Sequence, residues 1–352
     1  MRIRSSRLLK ALLTTLIVAV QPVAATAQTR VIIDTHAHLD NPGRSRDFRP
    51  SIDAAIKRMD EVGVTRSILM PPPQAPNRPS WELEDLRYAR ETYPGRFVLL
   101  GGGGSLNLMI HSTPPEAVTE EIRAKFRATA AKLLADGAAG FGEIAALHLS
   151  KARMGDKHPY ENVQPDHPLL LLLSDIAATH GVPIDLHLDF VPEDMPGSDR
   201  ASFNKATMPA VLKANLPALE RLLDHNPKAK IIWAHAGTDS LFTRTVPAQG
   251  QLLERHPNLY MSLRLGSGGR PPVFVIDEQQ KIKPVWLRQL QRFPDRFVLG
   301  SDFFHHTAGG RQRGPNEDEY ENYGRLLEQL PPALAEAIGH GNAERLFGLK
   351  PD

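Results

Sequence analysis

The stretch Ile33-Asp34-Thr35-His36-Ala37-His38 decides the fold, because it places two histidines at the end of an apolar segment. Side chains alternate along a strand, so His36 and His38 point to the same face and could bind one metal ion. Asp34 shares that face one layer below, where it could orient a ligand through a hydrogen bond. A single His-x-His pair is equally compatible with two structural histidines. The residues at the other strand ends decide between these two interpretations.

Three further apolar segments end in a residue that can bind a metal. His187 closes Ile184-Asp185-Leu186-His187, His235 follows Ile231–Ala234, and Asp302 follows Val298–Ser301. Burying four histidines and one aspartate costs much free energy unless they share a cation. The chain has no cysteine, so histidines and carboxylates must hold any metal. These residues predict a divalent-metal site.

The spacing of these segments predicts an α/β fold, a single-domain (β/α)8 barrel. Eight short apolar segments have the pattern of buried parallel strands, at 31–35, 66–70, 97–100, 140–144, 183–188, 231–234, 259–263 and 297–300. Each precedes a stretch with helical character, at 51–61, 81–92, 115–134, 168–179, 209–224, 247–256, 283–293 and 320–338. The strand-end residues would then meet at the C-terminal face of the barrel, where barrel enzymes have their active sites.

Residues 1–27 have the pattern of a secretory signal peptide. Four basic residues precede an apolar run at 11–20, and Ala25-Thr26-Ala27 provides a small-x-small cleavage site. We therefore expect the mature chain to start at Gln28 and the barrel domain to span 28–352. The alternative is a membrane anchor, but the run is short and Pro22 interrupts it. No adjacent arginine pair occurs there, which favours Sec-type export to the periplasm or the medium.

Composition and charge are those of a globular protein with a small-molecule partner. The 352 residues are 41% hydrophobic and 23% charged. The net charge is +2 and would become −2 on loss of the four basic residues of the leader. That balance argues against nucleic-acid binding through a basic field. We expect no stable membrane anchor, and the sequence leaves the oligomeric state open.

The motifs resemble the amidohydrolase superfamily of metal-dependent hydrolases. Two further segments resemble its amidohydrolase-related branch: Leu299-Gly300-Ser301-Asp302-Phe303 and the C-terminal stretch 338–347. The resemblance implies that His36, His38 and His187 bind the metal. It implies that Asp302 binds the metal or accepts a proton from the bound water, and that His235 binds a second metal or polarises the substrate.

Glu143 bears on the number of metal ions. Its context, Gly142-Glu143-Ile144, resembles that of TatD-type hydrolases, and a carboxylate there could bridge two cations. The alternative is a carboxylate bonded to a neighbouring strand or to a basic side chain. The site would then hold one metal, as in decarboxylase-like relatives. Zinc, one or two ions per chain, is the expected cofactor from ligand type and affinity.

Three residues near the predicted strand ends are candidates for substrate binding. Arg264 follows Tyr260 and Ser262 on one strand face and could clamp a substrate carboxylate or phosphate. A salt bridge at the rim is the alternative for Arg264. His305 and His306 closely follow Asp302 and are expected in a loop of the catalytic face.

The expected reaction is hydrolysis of an ester, lactone, amide or phosphoester bond in a small molecule by metal-activated water. Asp302 would act as the base and His235 would assist. The alternative is a lyase that decarboxylates a small carboxylic acid. A third possibility is a non-enzymatic protein that binds a metal or a solute.

Overall fold

The computed structural model of the chain describes residues 31–40, 45–74, 81–152, 158, 160–265, 273–306 and 317–350, the last range with side chains from 322 onward. The segment from Val31 to the C-terminus forms one compact unit. The predicted signal peptide lies outside the described residues. Among the described helices, none has the length and apolar character needed to cross a bilayer.

Eight parallel strands form a closed barrel within the described residues, which confirms the predicted fold. They are β1 (Ile33–Leu39), β2 (Arg66–Leu69), β3 (Phe97–Leu99 and Gly101–Gly102), β4 (Phe141–Ala145), β5 (Pro183–His187), β6 (Lys230–Ala236), β7 (Leu259–Leu263) and β8 (Phe297–Leu299 and Phe303–His305). Each strand pairs with its neighbours in chain order, and β1 pairs with both segments of β8. The two segments of β3 pair with β2 and β4 and complete the ring.

Helices surround the barrel and connect its strands. The described helices are α1 (Arg49–Val62), α2 (Arg87–Thr92), α3 (Leu106–Ser112), α4 (Glu120–Ala135), α5 (Pro168–His180), α6 (Leu216–His225), α7 (Val246–Arg255), α8 (Pro284–Arg292), α9 (Glu317–Glu328), α10 (Pro332–Glu336) and α11 (Asn342–Phe347). Proline occupies the first turn of α5, α6, α7 and α8, where its missing N–H costs no helical hydrogen bond.

Two of the differences between predicted and observed helices have a clear cause. The helix expected at 209–224 begins only at Leu216, because Val211–Leu212 pairs with Met195–Pro196 as a short antiparallel ribbon. The helix expected at 320–338 is interrupted after Glu328, and α10 begins at Pro332. The two consecutive prolines at 331 and 332 explain this break, since proline lacks the N–H that a continuing helix needs.

β1 is longer than its sequence pattern indicates, and this extension positions the site. The apolar pattern ends at Thr35, whereas the observed strand continues to Leu39 and includes His36 and His38, as their predicted alternation requires. Residues 37–39 find partners in Phe303–His305 of β8, and the Met70 N–H donates to the Ala37 carbonyl at 3.1 Å. His36 and His38 therefore lie inside a paired strand, and both are fully buried.

Candidate metal centre

Two pairs of histidines converge at the C-terminal ends of the barrel strands. His36 Nε2 and His38 Nε2 of β1 lie 3.0 Å apart. His187 Nδ1 of β5 and His235 Nε2 of β6 lie 3.1 Å apart. Ring nitrogens at such distances share either a proton or a cation, so each pair marks a place where positive charge can be held.

Glu143 of β4 lies between the two pairs and contacts both. Its Oε1 is 2.8 Å from His187 Nδ1 and 3.4 Å from His235 Nε2. Its Oε2 is 3.3 Å from His38 Nε2 and 3.7 Å from His36 Nε2. Each carboxylate oxygen thus faces a different histidine pair, which is the arrangement a carboxylate needs to bridge two cations.

Three overlapping groups of side chains have the geometry to hold a metal ion among the described residues. They are His36, His38 and Glu143; His36, His235 and Asp302; and Glu143, His187 and His235. Within each group the candidate ligand atoms lie within 4.8 Å of one another. Imidazole nitrogens and carboxylate oxygens suit divalent ions such as zinc. The donor set therefore fits a divalent cation.

The outward ring nitrogens of His36 and His38 have hydrogen-bond acceptors, and that of His187 faces a more distant carboxylate. His36 Nδ1 lies 3.1 Å from Asp185 Oδ2, and His38 Nδ1 lies 2.9 Å from the Met70 carbonyl oxygen. His187 Nε2 faces Asp189 Oδ2 at 3.7 Å. Such partners fix the tautomer and leave the opposite nitrogen for a metal. The inward nitrogens are then Nε2 of His36 and His38, and Nδ1 of His187.

Hydrogen bonds between protonated histidines and ionised carboxylates join the cluster. Burial opposes ionisation of Glu143, but hydrogen bonds from His187, His235 and His38 keep its pKa well below the ordinary value. Burial also disfavours the charged forms of His38 and His187, yet the neighbouring carboxylates raise each pKa to about 10. Burial instead lowers the pKa of His235 to about 3. A metal ion would displace the protons on His38 and His187.

Asp302 reaches the β1 pair from the end of β8. Its Oδ1 lies 3.4 Å from His38 Nε2 and 3.9 Å from His36 Nε2, and its other oxygen, Oδ2, contacts Arg264 Nη1. Burial disfavours ionisation of Asp302, but Arg264, His235 and His38 together hold its pKa below the ordinary range. Arg264 thus makes a salt bridge inside the site with Asp302, the predicted base. The sequence predicted instead a salt bridge at the rim or a contact with the substrate.

The backbone is left-handed at the two predicted catalytic residues. His235 has φ 64° and Asp302 has φ 54°, values that favour glycine over other residues. At β8 the Asp302 N–H donates to the His36 carbonyl at 2.8 Å. Gly300, two residues before Asp302, leaves no room for a side chain, since a Cβ there would lie 2.7 Å from Ser262 Cβ.

Asp34 contacts the turn that carries Asp302, a contact the sequence did not predict. Its carboxylate accepts hydrogen bonds from the Ser301 N–H at 2.9 Å and the Ser301 hydroxyl at 2.7 Å. It also accepts from the backbone N–H of His36 at 3.3 Å. These contacts place Asp34 beneath Asp302, and its predicted action on a ligand ring stays a prediction.

The two remaining substrate-binding candidates follow Asp302, but His305 does not lie in a loop. It lies in the second segment of β8, paired beside Leu39, and it is 2% exposed. Burial lowers the pKa of His305 to about 3. His306 comes directly after this strand segment and is partly buried. Substrate binding by either residue stays a prediction.

Three residues that contact the centre have no predicted role. Asp185 and Asp189 face His36 and His187, and the His148 ring packs edge-on against His187 at 4.5 Å and stacks on His158 at 4.1 Å. The two aspartates lie two residues before and two residues after His187. Strand alternation was thus a usable signal for Asp185, since Asp34 has the same spacing from His36.

Comparison with known proteins assigns the family. The model of the family described as Amidohydrolase matches residues 33–349. The chain therefore belongs to the amidohydrolase family, as its motifs predicted. Amidohydrolases of this kind use divalent metals and act on small molecules, and the histidine–glutamate group described above could hold such a metal in this chain. No curated protein gives a significant sequence match.

Several solved structures are similar in overall fold. An amidohydrolase 2 from Bifidobacterium longum subsp. infantis has 15% identity and a TM-score of 0.47, covering 92% of this chain and 100% of its own. The TatD homolog YJJV from Escherichia coli K12 has 15% identity and a TM-score of 0.49, covering 91% and 98%. A dihydroxybenzoic acid decarboxylase from Polaromonas sp. JS666, with bound manganese and an inhibitor, has 14% identity and a TM-score of 0.49, covering 92% and 98%.

Proposed function

We propose that this protein is a hydrolase that uses two divalent metal ions, with zinc as the expected ion, to cleave an ester, lactone, amide or phosphoester bond in a small molecule. The observation that carries the proposal is the position of Glu143. Its Oε1 faces His187 and His235, and its Oε2 faces His36 and His38. A carboxylate with a purely structural role would need to contact only one of these two histidine pairs.

The residues divide into two sets that share Glu143. His36, His38 and Glu143 would hold one ion, and Glu143, His187 and His235 would hold the other. Asp302 lies against the first set through Oδ1. When bound, divalent ions lower the pKa of water and polarise the bond to be cleaved.

Asp302 is the group of this chain that is placed to move a proton. Its carboxylate is ionised, and Oδ1 faces the centre while Oδ2 is held by Arg264. A carboxylate held in this way can accept a proton from water at Oδ1 and deliver it to the leaving group. Arg264 fixes the direction of that carboxylate, and a substrate anion would have to compete with Asp302 for its guanidinium.

Product analysis tests the reaction class. The zinc-loaded protein is incubated with a panel of lactones, esters, amides, phosphoesters and aromatic carboxylic acids in ¹⁸O-labelled water. The proposal predicts one ¹⁸O atom in the acid or phosphate product and no release of carbon dioxide. Release of carbon dioxide, with no ¹⁸O in the remaining organic product, would replace the hydrolase with a decarboxylase. Metal binding without turnover of any compound would favour a protein that only binds a metal or a solute.

We also propose that the barrel works outside the cytoplasm after removal of residues 1–27. The basic start, the apolar run and Ala25-Thr26-Ala27 support this proposal. Expression of the full chain in a bacterial host, followed by intact-mass measurement of the exported protein, should give a chain that starts at Gln28. Exported protein that retains Met1 would contradict the cleavage.

A further inference from the structure

Arg244 is a buried cation that the proposed reaction does not use. It is 5% exposed. Within the described residues, its guanidinium donates Nη1–H to the Ala234 carbonyl at 2.6 Å, and Nη2–H to the carbonyls of His235 and of Thr238, the latter at 3.0 Å. The guanidinium also lies over the Trp233 ring, 4.7 Å from its centroid. These carbonyls all belong to the turn that carries His235.

That turn interrupts the regular strand pairing. The register between β6 and β7 shifts between Trp233 and Ala236, at the place where His235 adopts its left-handed conformation. Carbonyls that leave the ladder in a buried region need other donors, because an unsatisfied buried acceptor costs free energy. The Thr238 N–H supplies one donor to the His235 carbonyl at 3.1 Å, and Arg244 supplies the others.

An arginine suits this position for two reasons. Its planar guanidinium offers donors in a fixed fork, which matches two neighbouring carbonyls better than a lysine ammonium would. Burial lowers the pKa of Arg244 only to about 10, so the side chain stays charged at neutral pH. Asp239 fixes the loop behind it by accepting the Arg244 N–H at 2.6 Å.

We propose that Arg244 is a positioning residue that holds the His235 imidazole in place by clamping the carbonyls of its left-handed turn. The His235 ring nitrogen Nε2 lies 3.4 Å from Glu143 Oε1 and 3.1 Å from His187 Nδ1. A small rotation of the turn would therefore move the His235 ring away from Glu143 and His187. His36 and His38 lie on a different strand. The binding of an ion by His187 and His235 therefore depends on Arg244 more than the binding of an ion by His36 and His38 does. This consequence for metal binding rests on the proposed function.

Arg296 provides a matched control at the other end of the barrel. It is 9% exposed and donates Nε–H to the Leu259 carbonyl at 2.8 Å and Nη2–H to the His256 carbonyl at 2.5 Å. Its guanidinium lies over the Tyr260 ring, 5.0 Å from the centroid. The carbonyl partners and the aromatic contact are thus of the same kind as those of Arg244. Arg296, however, serves the start of β7 and no candidate ligand.

The test compares Arg244→Lys with Arg296→Lys in two measurements. The first is the imidazole ¹H–¹⁵N spectrum of the zinc-free protein, with the His235 signals assigned from a His235→Gln variant. The second is zinc affinity by competition with a chelator. Arg244→Lys should move or broaden the His235 signals. It should also lower the affinity for the zinc ion held by His187 and His235 about 10- to 100-fold. Arg296→Lys should lower Tm comparably, with the His235 signals and both affinities unchanged.

His235 signals and zinc affinities of Arg244→Lys equal to those of Arg296→Lys would overturn the inference and leave the proposed function standing. A wild type that binds one ion, with His235 signals that still respond to Arg244→Lys, would instead refute the two-ion proposal and support the positioning role. Should Arg244→Lys not fold, Asp239→Asn weakens the same loop more gently. It is expected to shift the same His235 signals, and unchanged signals there would count against the inference.

Discussion

The two sides of the candidate centre place their residues by different means. On β1, His36 and His38 lie in one continuous strand without left-handed backbone, although its pairing with β2 shifts register between Asp34 and Ala37. On β6 and β8, His235 and Asp302 lie in left-handed backbone where the strand pairing shifts or breaks. Side chains from outside the two turns hold them: Arg244 for the first, and Asp34 through Ser301 for the second. The residues with proposed proton and substrate chemistry are thus the ones whose backbone is left-handed.

The free energies involved explain why such support is needed. A left-handed conformation costs a residue other than glycine about 1–2 kcal/mol. A typical buried hydrogen bond contributes about 1 kcal/mol net. The hydrogen bonds from Arg244 and those to Asp34 are therefore large enough to offset the two turns. The comparison predicts that loss of a β1 histidine disturbs metal binding, whereas variants at the β8 turn disturb the chemistry.

Asp302→Asn should show the largest effect. Asparagine has nearly the same shape and can still offer an oxygen to the centre, but it cannot accept a proton. Loss of a general base typically lowers the rate by about 10²–10⁴-fold. We expect kcat to fall at least about 100-fold, with most of the metal retained and no recovery in excess zinc. A variant within a few-fold of wild type at saturating zinc would rule out the proton-transfer role.

His38→Ala should act on the metal first. Changing a residue that only supports a ligand costs about 10- to 100-fold in metal affinity, so loss of the ligand itself should reach at least about 100-fold. Chelator competition measures this affinity, and excess zinc should recover part of kcat, unlike for Asp302→Asn. If both variants lost metal equally, the contrast between β1 and the turn at β8 would be lost.

Asp185→Asn and Asp34→Asn make a closely matched pair. Both aspartates are fully buried and lie two residues before a histidine, but Asp185 contacts the His36 ring while Asp34 contacts Ser301. Asp185→Asn should weaken metal binding about tenfold, because the ring loses its anionic partner. Asp34→Asn should leave metal affinity closer to wild type and lower kcat through Asp302. The measurements are zinc affinity and kcat for each variant. Equal losses of zinc affinity in the two variants, and equal losses of kcat, would show that the two contacts are equivalent.

Glu161→Gln should have the smallest effect, on stability and its dependence on pH. Glu161 is 3% exposed and accepts a hydrogen bond from Asn107 Nδ2 at 2.7 Å, while Asn107 Oδ1 accepts the Ala145 N–H of β4 at 2.9 Å. Burial raises the pKa of Glu161 from 4.5 to about 8. The folded state then holds a proton that the unfolded state loses, so this contribution to stability is present below pH 4.5 and lost as the pH rises to about 8.

Urea unfolding at pH 6 and pH 9 measures this dependence. The wild type should lose on the order of 2 kcal/mol more stability than Glu161→Gln over that range, since glutamine keeps the shape without the ionisation. Metal content should stay unchanged in both proteins, because Glu161 belongs to neither side of the centre. Parallel pH profiles for the two proteins would show that Glu161 does not titrate as stated.

The same contrast explains what could be predicted from sequence. Alternation and the apolar pattern locate the eight strands, the β1 histidines, Glu143, His187 and the ends of β6 and β8, because those features depend on neighbours in the chain. The left-handed turns do not follow from alternation or from the apolar pattern, since the side chains that hold them lie outside the turns: Arg244 is 9 residues from His235, and Asp34 is 267 residues from Ser301. The salt bridge from Arg264 to Asp302 likewise depends on the closure of β7 against β8.

Metal stoichiometry of wild type and Glu143→Gln is the most direct test of the central claim that Glu143 is shared by two ions. Each zinc-free protein is titrated with zinc while bound metal and kcat are followed. We predict two ions per wild-type chain, with kcat rising until the second equivalent, and at most about one ion per chain for Glu143→Gln with lowered kcat. A wild type that binds a single ion and reaches full activity at one equivalent would contradict the claim.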